Sequence, residues 1–188
     1  DNLQPEYAYN LDLGWQWNWK DSSNFELNGF YSIVRNTLIR SDYQFNGQDS
    51  IIYDGQLSKV EALVNGGQSY IYGGSMKYSW YFKRHFLFVA KVTAMYGREK
   101  SINDPLRHVP PVYGKTGLTY FHKRWRVFVN AFYQGKIAFD DLAPSEQAKP
   151  QIYTKDGALS YVLFDAGTRI ELHKRINLAV TVENILDS

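Results

Sequence analysis

Residues 7–19 carry an apolar side chain at every odd position: Tyr7, Tyr9, Leu11, Leu13, Trp15, Trp17 and Trp19. The even positions hold Ala8, Asn10, Asp12, Gly14, Gln16 and Asn18, all polar or small. Successive side chains on a strand point to opposite faces, so this segment has one wholly apolar face and one polar face. A helix would scatter the same residues around its circumference. The segment somewhat exceeds the roughly 9–11 residues that a tilted strand needs to cross a bilayer.

The pattern recurs. Phe25, Leu27, Gly29, Tyr31 and Ile33 share one parity of a second strand, expected from residue 25 to about residue 40, with Glu26, Asn28 and Ser32 opposite. A third strand is expected within 61–82, bent at Gly66-Gly67 or at Gly73-Gly74. It puts Tyr70, Tyr72, Met76, Tyr78 and Trp80 on one face. Further strands follow at about 86–97, 112–121, 125–137 and 159–172, and the last opens at Ile176. The strand at 86–97 has a mixed second face, with Leu87, Val89 and Met95 beside Lys91 and Thr93.

Composition narrows the class. The chain has 15 Tyr, 11 Phe and 5 Trp, yet its mean hydropathy is −0.42. Many aromatics at low average hydropathy suit strands with one greasy and one polar face. No run approaches the roughly 18 consecutive apolar residues of a membrane helix. Net charge is +2, from 21 basic and 19 acidic residues, which gives no nucleic-acid footprint. Cysteine is absent, so no disulfide scaffold or cysteine metal site is possible. The chain begins at Asp1 without a Met or a signal peptide, as expected of a mature protein or a piece of a longer one.

The connections alternate between tight turns and long loops of roughly 14–21 residues. Outer-membrane barrels keep short turns on the periplasmic side and long loops outside. Three of the four tight turns are basic: Lys83-Arg84-His85, His122-Lys123-Arg124 and His173-Lys174-Arg175. The fourth is residues 20–24. Trp80, Tyr81, Phe82, Phe86, Phe121 and Trp125 flank them, as an interfacial aromatic girdle requires. The fold expected is therefore all-β, an antiparallel transmembrane β-barrel integral to the bacterial outer membrane.

Several segments then resemble one family, the TonB-dependent outer-membrane receptors, in the C-terminal part of their barrel. Leu3-Gln4-Pro5-Glu6 before the first strand resembles the opening of a late barrel strand. Gly29-Phe30-Tyr31 leading to Ile39 is similar to a phenylalanine-tyrosine strand of the family. Val64-Asn65-Gly66-Gly67 followed by Gly73-Gly74-Ser75 is similar to its asparagine-glycine strand, with Ser75 where most members have glutamate. His108-Val109-Pro110-Pro111 resembles its proline pair, and Glu183-Asn184-Ile185-Leu186-Asp187 its terminal strand. The proline pair and that terminal strand resemble a Bacteroidetes-type receptor.

The resemblance implies that residues 1–188 are a partial barrel domain without a plug, about eight strands of a barrel of about 22. It implies active uptake of a scarce nutrient: an iron chelate, a cobalamin-like compound or an oligosaccharide. The implied partners are the receptor's own plug domain and TonB, outer-membrane lipid and lipopolysaccharide, a surface lipoprotein and a small-molecule or glycan substrate. Two other readings remain open on the residues alone. One is a complete eight-stranded barrel serving as an outer-membrane enzyme or adhesin; the other is a soluble lipocalin-like carrier.

The chemistry-bearing residues are few. His85, His122 and His173 sit among cations, and with His108 they have no metal-ligand spacing, so no metal and no cofactor is expected. No catalytic motif is present, and no enzyme is expected. Lys77, Lys91, Arg126, Arg169, Glu171 and Glu183 sit on the polar parity of strands. A lipid-facing Arg or Lys at the bilayer midplane costs about 2–4 kcal/mol, so these residues are expected to face the lumen. There Arg169 and Glu171 are expected to pair with charged neighbours on adjacent strands. Ligand contacts are expected from the outer loops, with Tyr43, Arg98, Arg107 and Tyr153 as candidates.

Overall fold

Period-two alternation forms strands wherever it lasts long enough to cover a bilayer. The computed structural model describes residues 3–20, 22–100 and 103–187, and the side chain of Arg40 is outside the description. The turn residue Asp21 and the terminal Ser188 also lie outside the described residues. Among the described residues twelve strands form: β1 Tyr7–Trp19, β2 Ser23–Arg35, β3 Leu38–Asp42, β4 Ser50–Tyr53, β5 Gln56–Lys59, β6 Glu61–Asn65, β7 Gln68–Phe82, β8 Phe86–Glu99, β9 Tyr113–His122, β10 Trp125–Gln134, β11 Tyr161–His173 and β12 Ile176–Val182. Eight of them make one antiparallel sheet in the order β1-β2-β7-β8-β9-β10-β11-β12. These are the eight strands expected from the sequence with two changes of bounds: the second ends at Arg35, its expected tail belonging to β3, and the third starts at Gln68, its expected first part being β6. Strands β1 and β12 pair on one side only among the described residues, so the sheet does not close into a small eight-stranded barrel.

Register keeps the two faces separate across the sheet. Leu27 on β2 lies opposite Trp15 and Met76; Met76 lies opposite Val92, and Val92 opposite Gly114. The neighbouring row is Gly14, Asn28, Ser75, Thr93 and Tyr113. Apolar rows therefore stay on one face and mixed polar rows on the other. A slip of one residue would exchange them. The fully buried apolar residues among those described are Leu142 and Ala143, at 2% exposure each. Neither belongs to the sheet. Leu13 (69% exposed) and Val129 (50%) lie bare on its apolar face, which suits a sheet solvated by lipid.

Two glycine pairs do different jobs. Residues 66–67 interrupt the chain between β6 and β7, and Gly66 donates its N–H to the Thr37 carbonyl at 2.5 Å. Of the two places where a bend was expected, Gly73-Gly74 does not interrupt the strand, because β7 continues unbroken through it. A Cβ at Gly73 would stand 2.6 Å from the Ala94 carbonyl oxygen, so close strand approach is what requires glycine there.

The first long connection is not a loop. β3 pairs with β6 and β4 with β5, forming a two-part ribbon that projects beyond the sheet. Its tip, Asp54-Gly55, has φ of 49° and 77°. Two successive left-handed residues make the type I′ turn favoured in two-residue hairpins. Asn65 fixes the base of this arm: it accepts from the Gln4 N–H at 2.6 Å and donates to the Gln4 and Asn36 carbonyls at 2.8 and 2.9 Å.

At the opposite, inner end the aromatics form bands. Trp80, Phe82 and Phe86 stack with centroid spacings of 4.6 and 5.2 Å, and Tyr120 lies 5.0 Å from Phe86. Register puts this band on the apolar face. Tyr81 and Phe121 stack at 6.4 Å on the other face, so these two line the lumen side and are not part of the girdle.

Candidate substrate-binding site

The three long connections converge at the outer end. The segment after β8 folds back along it: the Leu106 N–H donates to the Gly97 carbonyl at 3.1 Å and that of Glu99 to Asp104 at 2.9 Å. The connection between β10 and β11 is closed at its neck by mutual Ile137–Ala158 backbone bonds of 3.0 Å. It carries a 3-10 turn, Phe139–Asp141, and one helical turn, Pro144–Gln147. Glu146 on that turn is buried at 6% exposure. Its carboxylate accepts from the backbone N–H of Ala143 at 3.2 Å and of His108 at 3.1 Å, and from the Tyr153 hydroxyl at 3.4 Å. The His108 ring Nδ1 lies 3.6 Å from the same carboxylate. One side chain thus ties two loops together.

Between these loops, the arm and the sheet is a cavity of about 770 Å³. Ile39 and Leu63 line it from the arm, Ile71 from β7, Leu106 from the loop after β8, and its charged groups are Arg107 and Lys149 with the acids Glu61, Glu99 and Asp104. Ile71 belongs to the same register parity as Ser69, which lies opposite Val34 and Glu99, so the cavity opens on the sheet's polar face. An apolar lining with a few charged groups, in this size range, is the usual form of a small-molecule site. Ser69 lies nearby in a buried chain, donating to the Glu99 carboxylate at 2.5 Å with its hydroxyl 3.1 Å from that of Thr37.

The four loop residues expected to meet ligand have separate places. Arg107 lines the cavity. Tyr153 stands behind it and holds Glu146; burial and the Glu146 charge push the Tyr153 hydroxyl above its ordinary pKa. Tyr43 is exposed on the arm, donating its N–H to the Val60 carbonyl at 3.1 Å. Arg98 lies opposite Tyr70, on the parity of the apolar face; it hydrogen-bonds the Tyr96 hydroxyl and the Asn103 carbonyl. The arm also has its own ion pair, Lys59–Asp42 at 2.5 Å, and the hydrogen bond to Asp42 raises the Lys59 pKa.

The charged strand residues fall largely on the polar face. Gln16, Glu26, Lys77, Lys91 and Lys115 form one row across five strands. Lys77 pairs with Glu26 at 2.9 Å, and the Lys115 ammonium lies 4.8 Å from the Phe132 ring centre. Arg126 lies directly opposite Arg169, and stacks 5.0 Å from the Phe121 ring centre. Glu171 lies opposite Asn177. The expected pairing of Arg169 and Glu171 with opposite charges is therefore corrected: their cross-strand neighbours are Arg126, Ala179 and Asn177. Glu183 falls just past the end of β12. Buried Glu146 was missed in the sequence; its only local signal is an acid three residues after Ala143, with Pro144 opening the turn.

A family model described as TonB dependent receptor-like, beta-barrel, matches residues 1–185. The chain belongs to the TonB-dependent receptor β-barrel family. No curated protein matches its sequence. Among solved structures it is similar to the copper transporter OprC, at 18% identity and a TM-score of 0.77, over 100% of this chain and 27% of that one. It is similar to a mutant of the ferric enterobactin receptor PfeA from Pseudomonas aeruginosa, at 17% identity and a TM-score of 0.74, over 97% and 26%. It is similar to the siderophore receptor PirA from Acinetobacter baumannii, at 19% identity and a TM-score of 0.73, over 99% and 28%. The chain thus spans about a quarter of the length of these receptors. The family is one of outer-membrane receptors and transporters, and this member's sheet is an arc of such a barrel, integral to the outer membrane.

Proposed function

We propose that this arc forms part of the wall and the outer mouth of a receptor that imports a scarce nutrient, with a metal chelate as the substrate class. It acts as a receptor wall and not as an enzyme. The observation that carries the reading is the convergence of all three outer connections on one cavity above the polar face. The arm and loops capture the substrate there. The lumen face, with its Lys77, Lys91 and Arg126 positions, lines the route inward and supports a plug domain that TonB moves. The names of the similar structures, which include copper, ferric enterobactin and siderophore transport, favour a chelate over a cobalamin-like compound or an oligosaccharide. Arg107 and Lys149 are the cations of a lining that also carries Glu61, Glu99 and Asp104, so the cavity offers groups to both the anionic ligand atoms and the metal centre of a chelate. Lipopolysaccharide solvates the outer part of the apolar face, and a surface lipoprotein would meet the arm, where Ile52 and Leu57 are 77% and 78% exposed.

The test is a fluorescence titration of the full-length receptor with ferric chelates, cupric ion, a cobalamin and an oligosaccharide. A chelate is expected to bind, and Arg107→Glu to weaken it about tenfold or more, as losing one charged contact does. Binding of the oligosaccharide alone, or chelate binding indifferent to Arg107→Glu, overturns the assignment.

A further inference from the structure

A second concavity lies on the opposite face and at the opposite end of the sheet. It is a groove of about 560 Å³ lined by Trp15, Trp17, Trp19, Phe25, Tyr78 and Trp80, with Lys20 at its mouth. Trp15 and Trp17 are stacked with centroids 6.2 Å apart, Trp17 and Trp19 are 5.2 Å apart, and Phe25 meets Trp15 edge-on at 5.9 Å. The three tryptophans are 50–56% exposed with β1 paired to β2 alone among the described residues, and the groove itself lies over β2, between the β1 tryptophans and Tyr78 and Trp80 of β7. Register places all of these rings on the apolar face, so whatever fills the groove comes from the membrane.

The end of the sheet at which the groove opens is basic. Its four short turns carry Lys20, Lys83, Arg84, Lys123, Arg124, Lys174 and Arg175, against the one acid Asp21. All seven cations are exposed, and among the described residues none of them makes an ion pair. A girdle needs only scattered amphipathic rings at headgroup level. Here contiguous rings form a recess, and a cation closes the end nearest the headgroups. The ligand that matches has an apolar part running toward the bilayer centre along Trp17 and Trp15 and an anionic group level with the turn.

We infer that this groove is a binding site for one inner-leaflet phospholipid with an anionic headgroup, an acyl chain lying against Trp15, Trp17 and Trp80 and the headgroup phosphate against Lys20. The tryptophan faces give the chain a large rigid apolar contact. The ammonium gives the headgroup a charge partner at the depth where the screening of bulk water is incomplete. The site is separate from the outer cavity and is independent of which substrate the receptor carries.

The experiment uses the full-length receptor in bilayer discs of mixed phosphatidylcholine and phosphatidylglycerol, released for native mass spectrometry. Retained phosphatidylglycerol is expected to exceed phosphatidylcholine. Lys20→Gln is expected to lower that retention about fivefold, as loss of one cation near an anionic surface should. Trp17→Ala is expected to lower retention of both lipids by opening the groove. Lys174→Gln, on the distant β11–β12 turn, is expected to leave retention unchanged. Heat-modifiable migration on gels verifies that each variant is folded. Equal retention of the two lipids, or equal losses in Lys20→Gln and Lys174→Gln, overturns the site in favour of diffuse attraction to the rim. Retention that inorganic phosphate competes away overturns the need for an acyl chain.

Discussion

Lys77 donates to the Glu26 carboxylate at 2.9 Å across the β2–β7 ladder, and the same row then continues through Lys91 and Lys115. The row therefore holds one acid and three lysines, with Lys91 flanked by Lys77 and Lys115. Like charges directly opposite on a sheet cost up to about 1 kcal/mol per pair. The Lys77–Glu26 pair is partly exposed, at 40% and 31% for the side chains, so it offsets only a few tenths to about 1 kcal/mol. Glu26→Lys is expected to lower the denaturant midpoint of the receptor, and Lys91→Glu to raise it by giving both neighbouring lysines a partner.

The Tyr133 hydroxyl reaches across Gly114 to donate to the Lys91 carbonyl at 3.0 Å. A Cβ at Gly114 would stand 2.2 Å from that carbonyl oxygen and 2.3 Å from the Tyr133 oxygen. Gly114→Ala is expected to destabilise the sheet by about 1–3 kcal/mol, as overpacking does. Tyr133→Phe should cost about 1 kcal/mol, the net worth of one hydrogen bond. Unfolding in detergent with guanidinium measures both.

Glu146 joins the loops after β8 and β10, so its loss should loosen the mouth and leave the sheet intact. Glu146→Ala strands the buried N–H of Ala143, at about 1–3 kcal/mol, and removes the partner of the part-buried His108 N–H, which water can reach. The expected result is faster proteolysis within residues 135–160 and weaker substrate binding, with unchanged heat-modifiable migration of the barrel.

Tyr153 gives that contact a pH limit. Burial, with Glu146 beside it, raises its pKa above the ordinary value. A raised phenol favours the neutral form in the folded state. Its contribution is therefore fully present below about pH 10 and is lost as pH climbs through the raised value. Loop protection from protease should stay constant through neutral pH and fall only in strong alkali. The tyrosinate absorbance difference between the parent and Tyr153→Phe tracks the same transition.

The two faces can be tested with neighbouring residues of one strand. Leu27→Lys puts a cation into lipid and is expected to cost about 2–4 kcal/mol near the midplane. Asn28→Lys, on the polar face, should be nearly neutral. Yields of folded receptor in refolding into lipid vesicles separate them.

The eight sheet strands were legible because the two-residue pattern recurs from segment to segment, over 13 positions in β1 and seven in β12, and lipid enforces it on one side. The arm was missed because no such pressure acts on it: both faces of β4 and β5 meet water, so Ile51-Ile52 and Leu57 do not read as one buried face. Its signal was nevertheless present in Asp54-Gly55 between two β-formers. Glu146 was illegible because its partners, His108 and Tyr153, come from other parts of the loops and leave no periodic trace. Arg98 was expected among the ligand contacts, but strand parity already turned it toward the apolar face beside Tyr96.

The registers recorded across β1, β2, β7, β8 and β9 place Gln16, Glu26, Lys77, Lys91 and Lys115 in a single row. If any one hairpin formed a residue out of step, its charged member of that row would be delivered into hydrocarbon. The membrane would reject that arrangement by more than any single ladder bond could offset. Insertion thus proofreads the sheet strand by strand, with the bilayer as template and the lysine row as its mark.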